Sequence, residues 1–157
     1  MHIRPATAVD VPAIVLIANE TVAEDRWVTR APGEEYHASD FLEDLDVPNR
    51  TLIVATIDDC IVGLIRLRPF EGNMHFGLVV RRQNRGMGVG RALLDAAIEW
   101  SKGIGVKVLH LTVFSHNAAA IELYRRSGFR QTRYSPRHLT RNNGEAWDLI
   151  SMARDLA

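Results

Sequence analysis

The sequence predicts a mixed α/β (α+β) layered fold, and three observations carry that prediction. Short β-rich runs alternate along the chain with helical stretches, which excludes an all-helical or all-strand architecture. Two stretches, behind Asp10 and behind Gly88, place apolar residues at helical spacing. The breakers Pro32-Gly33, Asp58-Asp59 and Gly72-Asn73 fall between these runs, and no segment repeats or is of low complexity. With 157 residues, 46% of them hydrophobic, the chain suits one domain spanning residues 1–157 with its own core.

Each element has a local reason. Residues 1–4 suit a short edge strand. Thr7 and Asp10 have capping-box spacing, and behind them Val11, Ile14, Ile17 and Ala18 recur on one helical face. Pro12 falls in the first turns, where a missing N–H does least harm. Residues 24–50 are polar and carry breakers, with a short helix expected near 39–45. Residues 51–56 and 61–67 read as a hairpin turning at Asp58-Asp59, and 74–80 as the next strand. A glycine-rich turn leads into a helix with Val89, Leu93, Ala97 and Trp100 on one face, stopped by Gly103 and Gly105. Residues 108–114 form a strand, and Asn117 caps a helix that ends at Ser127-Gly128. Residues 129–134 and 147–153 make the last two strands, joined by a polar hairpin loop over 135–145.

The balance of charge removes several function classes. Lys plus Arg and Asp plus Glu each number 19, so no overall field draws the protein to nucleic acid or a membrane surface. The single Cys60 excludes an internal disulfide framework and a cysteine metal cluster. No His, Asp or Glu cluster has metal-ligand spacing, so no metal is expected. The start of the chain has no signal-peptide pattern and no run approaches a membrane span, which leads to the expectation of a cytoplasmic protein.

The most informative stretch runs from Leu78, Val79 and Val80 through Arg85, Gly86, Met87, Gly88, Val89, Gly90 and Arg91. Alternate glycines between an apolar strand and an amphipathic helix let the backbone approach a ligand and aim N–H groups at it. The helix start adds free donors and a partial positive charge of about half a unit, so the turn can cradle a pyrophosphate. The same spacing also fits a plain strand-to-helix turn with solvated arginines. GxxxxGK[ST] is absent, and Arg91 stands where GxGxxG needs its third glycine, so both nucleotide fingerprints fail.

Here the sequence resembles the GNAT superfamily of N-acetyltransferases. Arg85, Gly88 and Gly90 match its [QR]xxGx[GA] motif, with Val80 ending the strand before it. Asn117, Ala120, Tyr124 and Gly128-Phe129 match its second element, N..A...Y...GF, behind the strand Leu111-Thr112-Val113. The resemblance covers essentially the whole chain and is weakest over 24–50. Arg82 departs from it, since many members carry proline there. It implies a mixed, mostly antiparallel central sheet of about seven strands with helices on both faces.

The resemblance further implies acetyl-CoA as cosubstrate and direct transfer to a primary amine. The backbone of Leu78 and Val80, between two splayed parallel strands, would hold the pantetheine arm. The loop from Arg85 to Arg91 would hold the pyrophosphate, and Asn117 would either contact the pantetheine or serve only as a helix cap. Tyr124 would give a proton to the departing thiolate, which suits a phenol pKa of about 10; its alternative is a core aromatic. An alkylamine with a pKa of about 10.4 is neutral only about once in 2,000 molecules at pH 7, so a base is expected. His75, on the strand leading to the turn, is the first candidate and Glu71 the second. Each also has a purely structural alternative. Cys60 has no role in this scheme.

In this family the acceptor pocket draws on segments matching 24–36 and 135–147. Here they carry Glu24, Asp25, Trp27, Glu34, Glu35 and Tyr36, with Tyr134, Glu145 and Trp147. Carboxylates among aromatics would suit a cationic small-molecule amine, which ranks above a protein N-terminus or lysine. A non-catalytic acyl-CoA sensor remains the alternative from another class, and a homodimer remains open.

Overall fold

Alternate residues of the run Leu52–Ala55 enter two different cores, as the period of a half-buried strand dictates: Leu52 and Val54 on one side, Ile53 and Ala55 on the other. The computed structural model describes residues 1–157. Its elements are β1 (His2–Pro5), α1 (Val11–Glu24), α2 (Ala38–Leu42), β2 (Thr51–Ile57), β3 (Cys60–Phe70), β4 (Asn73–Val80), α3 (Val89–Gly103), β5 (Val108–Phe114), α4 (Ala118–Arg126), β6 (Arg130–Thr140) and β7 (Ala146–Asp155). The seven strands form one sheet in the order β1-β2-β3-β4-β5-β7-β6. Every neighbouring pair is antiparallel except β4 and β5.

Helices cover both faces. On one face α3 and α4 set Leu93, Leu94, Ala97 and Tyr124 against Ile65, Phe76 and Leu111. On the other, α1 and α2 set Ile14, Ile17 and Phe41 against Leu52, Val54 and Leu64. Gly63 lets α3 approach closely: a Cβ there would meet the Val79 carbonyl oxygen at 3.0 Å and Leu93 and Val89 at 3.1 Å. A larger residue would therefore have to displace backbone.

Two sequence expectations need correction. The supposed loop over 135–145 is largely strand, because β6 continues to Thr140 through a register shift between Ser135 and Leu139. β6 is an edge strand whose residues are almost all exposed, so it lacks the apolar alternation that reveals a half-buried strand, and Pro136 is tolerated at the irregularity. The helix expected near 39–45 starts and ends earlier, at Ala38–Leu42, because the Asp40 carboxylate accepts the His37 N–H at 2.7 Å and closes the first turn there.

The capping pair Thr7 and Asp10 forms as expected, with the Asp10 carboxylate accepting the Thr7 N–H at 2.8 Å. Arg4 of β1 also grips Asp10 at 2.7 and 2.9 Å, fastening the edge strand to α1. This bidentate partner is the main reason the Asp10 carboxyl falls from 3.8 to about 2. Its stabilisation is present above the unfolded value of 3.8 and is lost as pH falls towards the folded value of about 2. Asp10→Asn is expected to cost about 1–2 kcal/mol, a Tm drop of about 3–6 °C at neutral pH that narrows at acid pH; thermal melts at both pH values check it.

Candidate active site

Parallel pairing between β4 and β5 is confined to Met74 with Leu109 and His75 with His110. Beyond these residues the strands part. On its other side β4 pairs with β3, and the Arg81 N–H donates to the Val62 carbonyl at 2.8 Å. Antiparallel ladders alternate, so Val79 and Gly77 also face β3 while Leu78 and Val80 turn their N–H and C=O groups into the opening. The Val80 carbonyl is met there by Nε of Arg85 at 3.0 Å. An opening edged with unpaired backbone needs a ligand or water to satisfy it.

The glycine turn closes one end of this opening. Gly86 and Gly88 have φ of 75° and 83°, a conformation costly for any side chain, and Gly88 is the N-cap of α3. An ideal Cβ at either would meet no atom within 4 Å, so the surface over the turn is open. Gly90, in the first turn of α3, lies against Leu123 of α4, 3.3 Å from where its Cβ would stand. The exposed residues Gly86 to Gly88 thus lead into the start of α3, whose first N–H groups lack helical partners and carry a positive polarisation. Met87 is exposed.

The arginines have partners. Arg85 is held in two hydrogen bonds by Glu24, at 2.7 and 2.9 Å, and Arg81 likewise by Glu20 at 2.7 and 3.0 Å. The Arg85 bond is the main cause of a lowered Glu24 pKa, aided by the Trp27 indole N–H at 2.8 Å. Arg91 pairs with Asp95 on the surface of α3. The turn can thus offer an anion backbone N–H groups first and arginine charge second.

Tyr124 is 6% exposed and packs edge-on against Phe76, at 5.7 Å, and Phe129, at 6.1 Å. Burial pushes its phenol above the ordinary value, so the group keeps its proton at neutral pH. It lines the same cleft as the opened strands. Asn117 caps α4, its side chain accepting the Ala120 N–H at 3.2 Å, and lines the cleft as well. His75 is half-buried at the cleft wall, with its ring 5.8 Å from Phe70. Burial, and then the charge of nearby His110, lower its pKa below 6.5. Glu71 is not brought to the site. It occupies the tight β3–β4 turn with φ of 48°, exposed and away from the cleft, because β4 carries the chain from that turn towards the opening at its other end.

The cleft has a volume of about 660 Å³, within the range of small-molecule sites. One half of it contains the opened strands, the turn and Tyr124. Its other half, on the α1–α2 face, contains Trp27, Tyr36, Phe41, Arg66, His75 and Gly77. No Asp or Glu lines it. This corrects the expected carboxylate pocket: Glu24 holds Arg85 and Asp25 pairs with Arg141, while Glu34 and Glu35 cap the N–H groups of Ala31 and Gly33. Trp147 is buried beneath Arg141, whose guanidinium lies 4.1 Å from its ring, and Tyr134 bonds to Asp148.

Two residues escaped the sequence reading. Arg141, 7% exposed, donates to the Thr29 carbonyl at 2.7 Å and so ties the β6–β7 loop to the segment after α1. Arg66 lines the cleft from β3; its signal was a cation, two residues before Arg68, in an otherwise apolar strand. No three His, Cys, Asp or Glu side chains converge to hold a metal, and no helix is long and apolar enough to cross a membrane.

The sheet is mostly antiparallel, opens between its two parallel strands, and has a glycine-capped helix at the mouth of the opening. The acetyltransferase (GNAT) family matches residues 19–129, and the chain belongs to it, the class of acetyl-CoA-dependent N-acetyltransferases. A putative phosphinothricin acetyltransferase of Bacillus subtilis, YwnH, is 28% identical over all of both chains. The L-amino acid N-acetyltransferase AaaT of Escherichia coli is 34% identical over 69% of this chain and 70% of its own. Among solved structures, a ribosomal-protein-alanine N-acetyltransferase from Brucella melitensis superposes with a TM-score of 0.89 at 28% identity, covering 99% of each chain.

Proposed function

We propose that the protein acetylates the free amine of a small amino acid by direct attack within a ternary complex. One observation carries this reading: the acceptor half of the cleft holds no carboxylate for a second cationic group, and its one fixed charge is Arg66. Such a wall suits an acceptor that brings its own anion beside its amine. The relatives named for phosphinothricin and L-amino acids support the same class.

Acetyl-CoA fits the residues present and supplies an activated thioester when bound. Leu78 and Val80 offer backbone N–H and C=O groups for its amide-bearing arm, with Asn117 beside them. The turn from Arg85 to Arg91 offers N–H donors for its pyrophosphate. Backbone N–H groups near Val80 polarise the carbonyl under attack. His75 removes the proton from the incoming amine, and Tyr124 donates one to the departing thiolate at its phenol oxygen.

A thiol-release assay with acetyl-CoA tests the reading against free amino acids, their amides, polyamines, aminoglycosides and short peptides. Turnover of free amino acids supports it, and turnover of polyamines or aminoglycosides alone overturns it. A second reading, acetylation of a protein N-terminus, draws on the likeness to the Brucella enzyme. Peptides that react while free amino acids stay inert would establish that one.

The base assignment has its own pH signature. A lowered His75 pKa keeps the imidazole neutral, and therefore basic, further down the pH scale than an ordinary histidine. The acid limb of kcat/KM is expected below pH 6.5. His75→Ala should slow the reaction most above that limb, and the ratio of wild type to variant should shrink as pH falls through it. An acid limb that survives unchanged in the variant excludes His75.

A further inference from the structure

Arg66 has more donors than its protein partners use. Its Nε binds the Asp44 carboxylate, and its Nη2 bonds to the Asp40 carbonyl and lies 3.6 Å from Glu43. The guanidinium sits 5.2 Å from the Phe41 ring. Nη1 has no partner in the protein, yet it is not sealed in the core, since the side chain lines the cleft and keeps 18% of its surface exposed. Asp44, with a fully buried side chain, also receives Arg68 at 3.1 Å and approaches Arg50 at 3.5 Å. Three arginines share Asp44 and the nearby Glu43, so the group keeps a net positive charge and Arg66 is fixed in place with one N–H₂ unspent.

The sheet register supplies the space in front of it. Arg66 pairs across β3 and β4 with Gly77, and Arg68 pairs with His75. Paired side chains share a face, so Arg66, Gly77 and His75 lie together on the α1–α2 side. A Cβ on Gly77 would meet nothing within 4 Å, which leaves an open floor between the other two. Arg66 and His75 are diagonal neighbours, a relation that puts two residues about 7–8 Å apart and their Cβ atoms somewhat closer. With only the bare Gly77 position beside them on that face, the two side chains can reach neighbouring groups of one small acceptor, the carboxylate and the amine of an α-amino acid.

We infer that Arg66 binds the acceptor's carboxylate through Nη1 over the bare floor of Gly77, and so selects amines that stand α to a carboxylate. The inference rests on the amino-acid reading above and adds the residue that enforces it. A lengthened carboxylate-to-amine spacing would carry the amine past His75, so α-amino acids are preferred over their β or γ counterparts.

The test compares an L-amino acid with its own primary amide in the wild type and in Arg66→Gln, measured as kcat/KM with saturating acetyl-CoA. The wild type is expected to prefer the acid by about 10- to 100-fold, the range of a charge-assisted hydrogen bond. Arg66→Gln is expected to erase that preference while the amide's kcat/KM and the Kd for acetyl-CoA barely change. A variant that keeps the preference, or loses equally on acid and amide, overturns the clamp alone. A wild type that turns over only amines lacking a carboxylate overturns the amino-acid reading, and the clamp with it. Should removing an Asp44 partner prevent folding, Gly77→Val leaves Arg66 and Asp44 untouched and fills the floor. It should raise the amino-acid KM about tenfold or more without altering the Kd for acetyl-CoA, and an unchanged KM overturns the proposal.

Discussion

Tyr124→Phe is expected to lower kcat by about 10²–10⁴ while the Kd for acetyl-CoA stays within about twofold, because only the proton donor is removed. The ring's contacts survive the substitution: Phe76 and Phe129 meet its edge and face, and neither needs the hydroxyl. Burial holds the phenol protonated at neutral pH, the state that the proposed proton donor needs. Stopped-flow thiol release together with calorimetric titration of acetyl-CoA separates the two quantities. A lost affinity with preserved turnover would assign Tyr124 to binding instead.

Gly88→Asp should abolish measurable acetyl-CoA binding, a loss above about 100-fold. Two effects combine. A side chain at φ of 83° costs about 1–2 kcal/mol, and a carboxylate at the mouth of the turn opposes the phosphates that the α3 start would attract. The same carboxylate is favourable for the empty helix, since it caps a positive terminus, so the fold should persist by circular dichroism. Gly88→Ala carries the strain without the charge and should weaken binding only about 5- to 30-fold. Equal losses in the two variants would place the phosphates elsewhere.

What was legible in the sequence is local in origin. The glycine turn needs three residues close in the chain, and its strand and helix flanks declare themselves by apolar spacing. The same holds for Asn117, Tyr124 and Phe129, which share one helix and its exit. The seven-stranded, mostly antiparallel sheet with helices on both faces followed from the family resemblance. What was misread depends on distant partners. Glu24 and Asp25 look like free pocket acids until Arg85 and Arg141 arrive from elsewhere in the chain. Arg66 looks like a stray cation until the turn after α2 delivers Asp44 to hold it and the register sets Gly77 beside it. The far half of β6, residues 135–140, hid because an exposed edge strand obeys no core pattern. Glu71 was placed by nearness in sequence to His75, whereas a strand separates neighbours by about 3.3 Å per residue and so carried it away from the opening.

The most direct test of the central claim is mass spectrometry of the products of a single turnover, with acetyl-CoA and an equimolar mixture of a free L-amino acid and a short peptide. An N-acetylated free amino acid and unmodified peptide are the expected products. An acetylated peptide N-terminus beside an untouched amino acid, or acetyl retained on the protein, would contradict that claim.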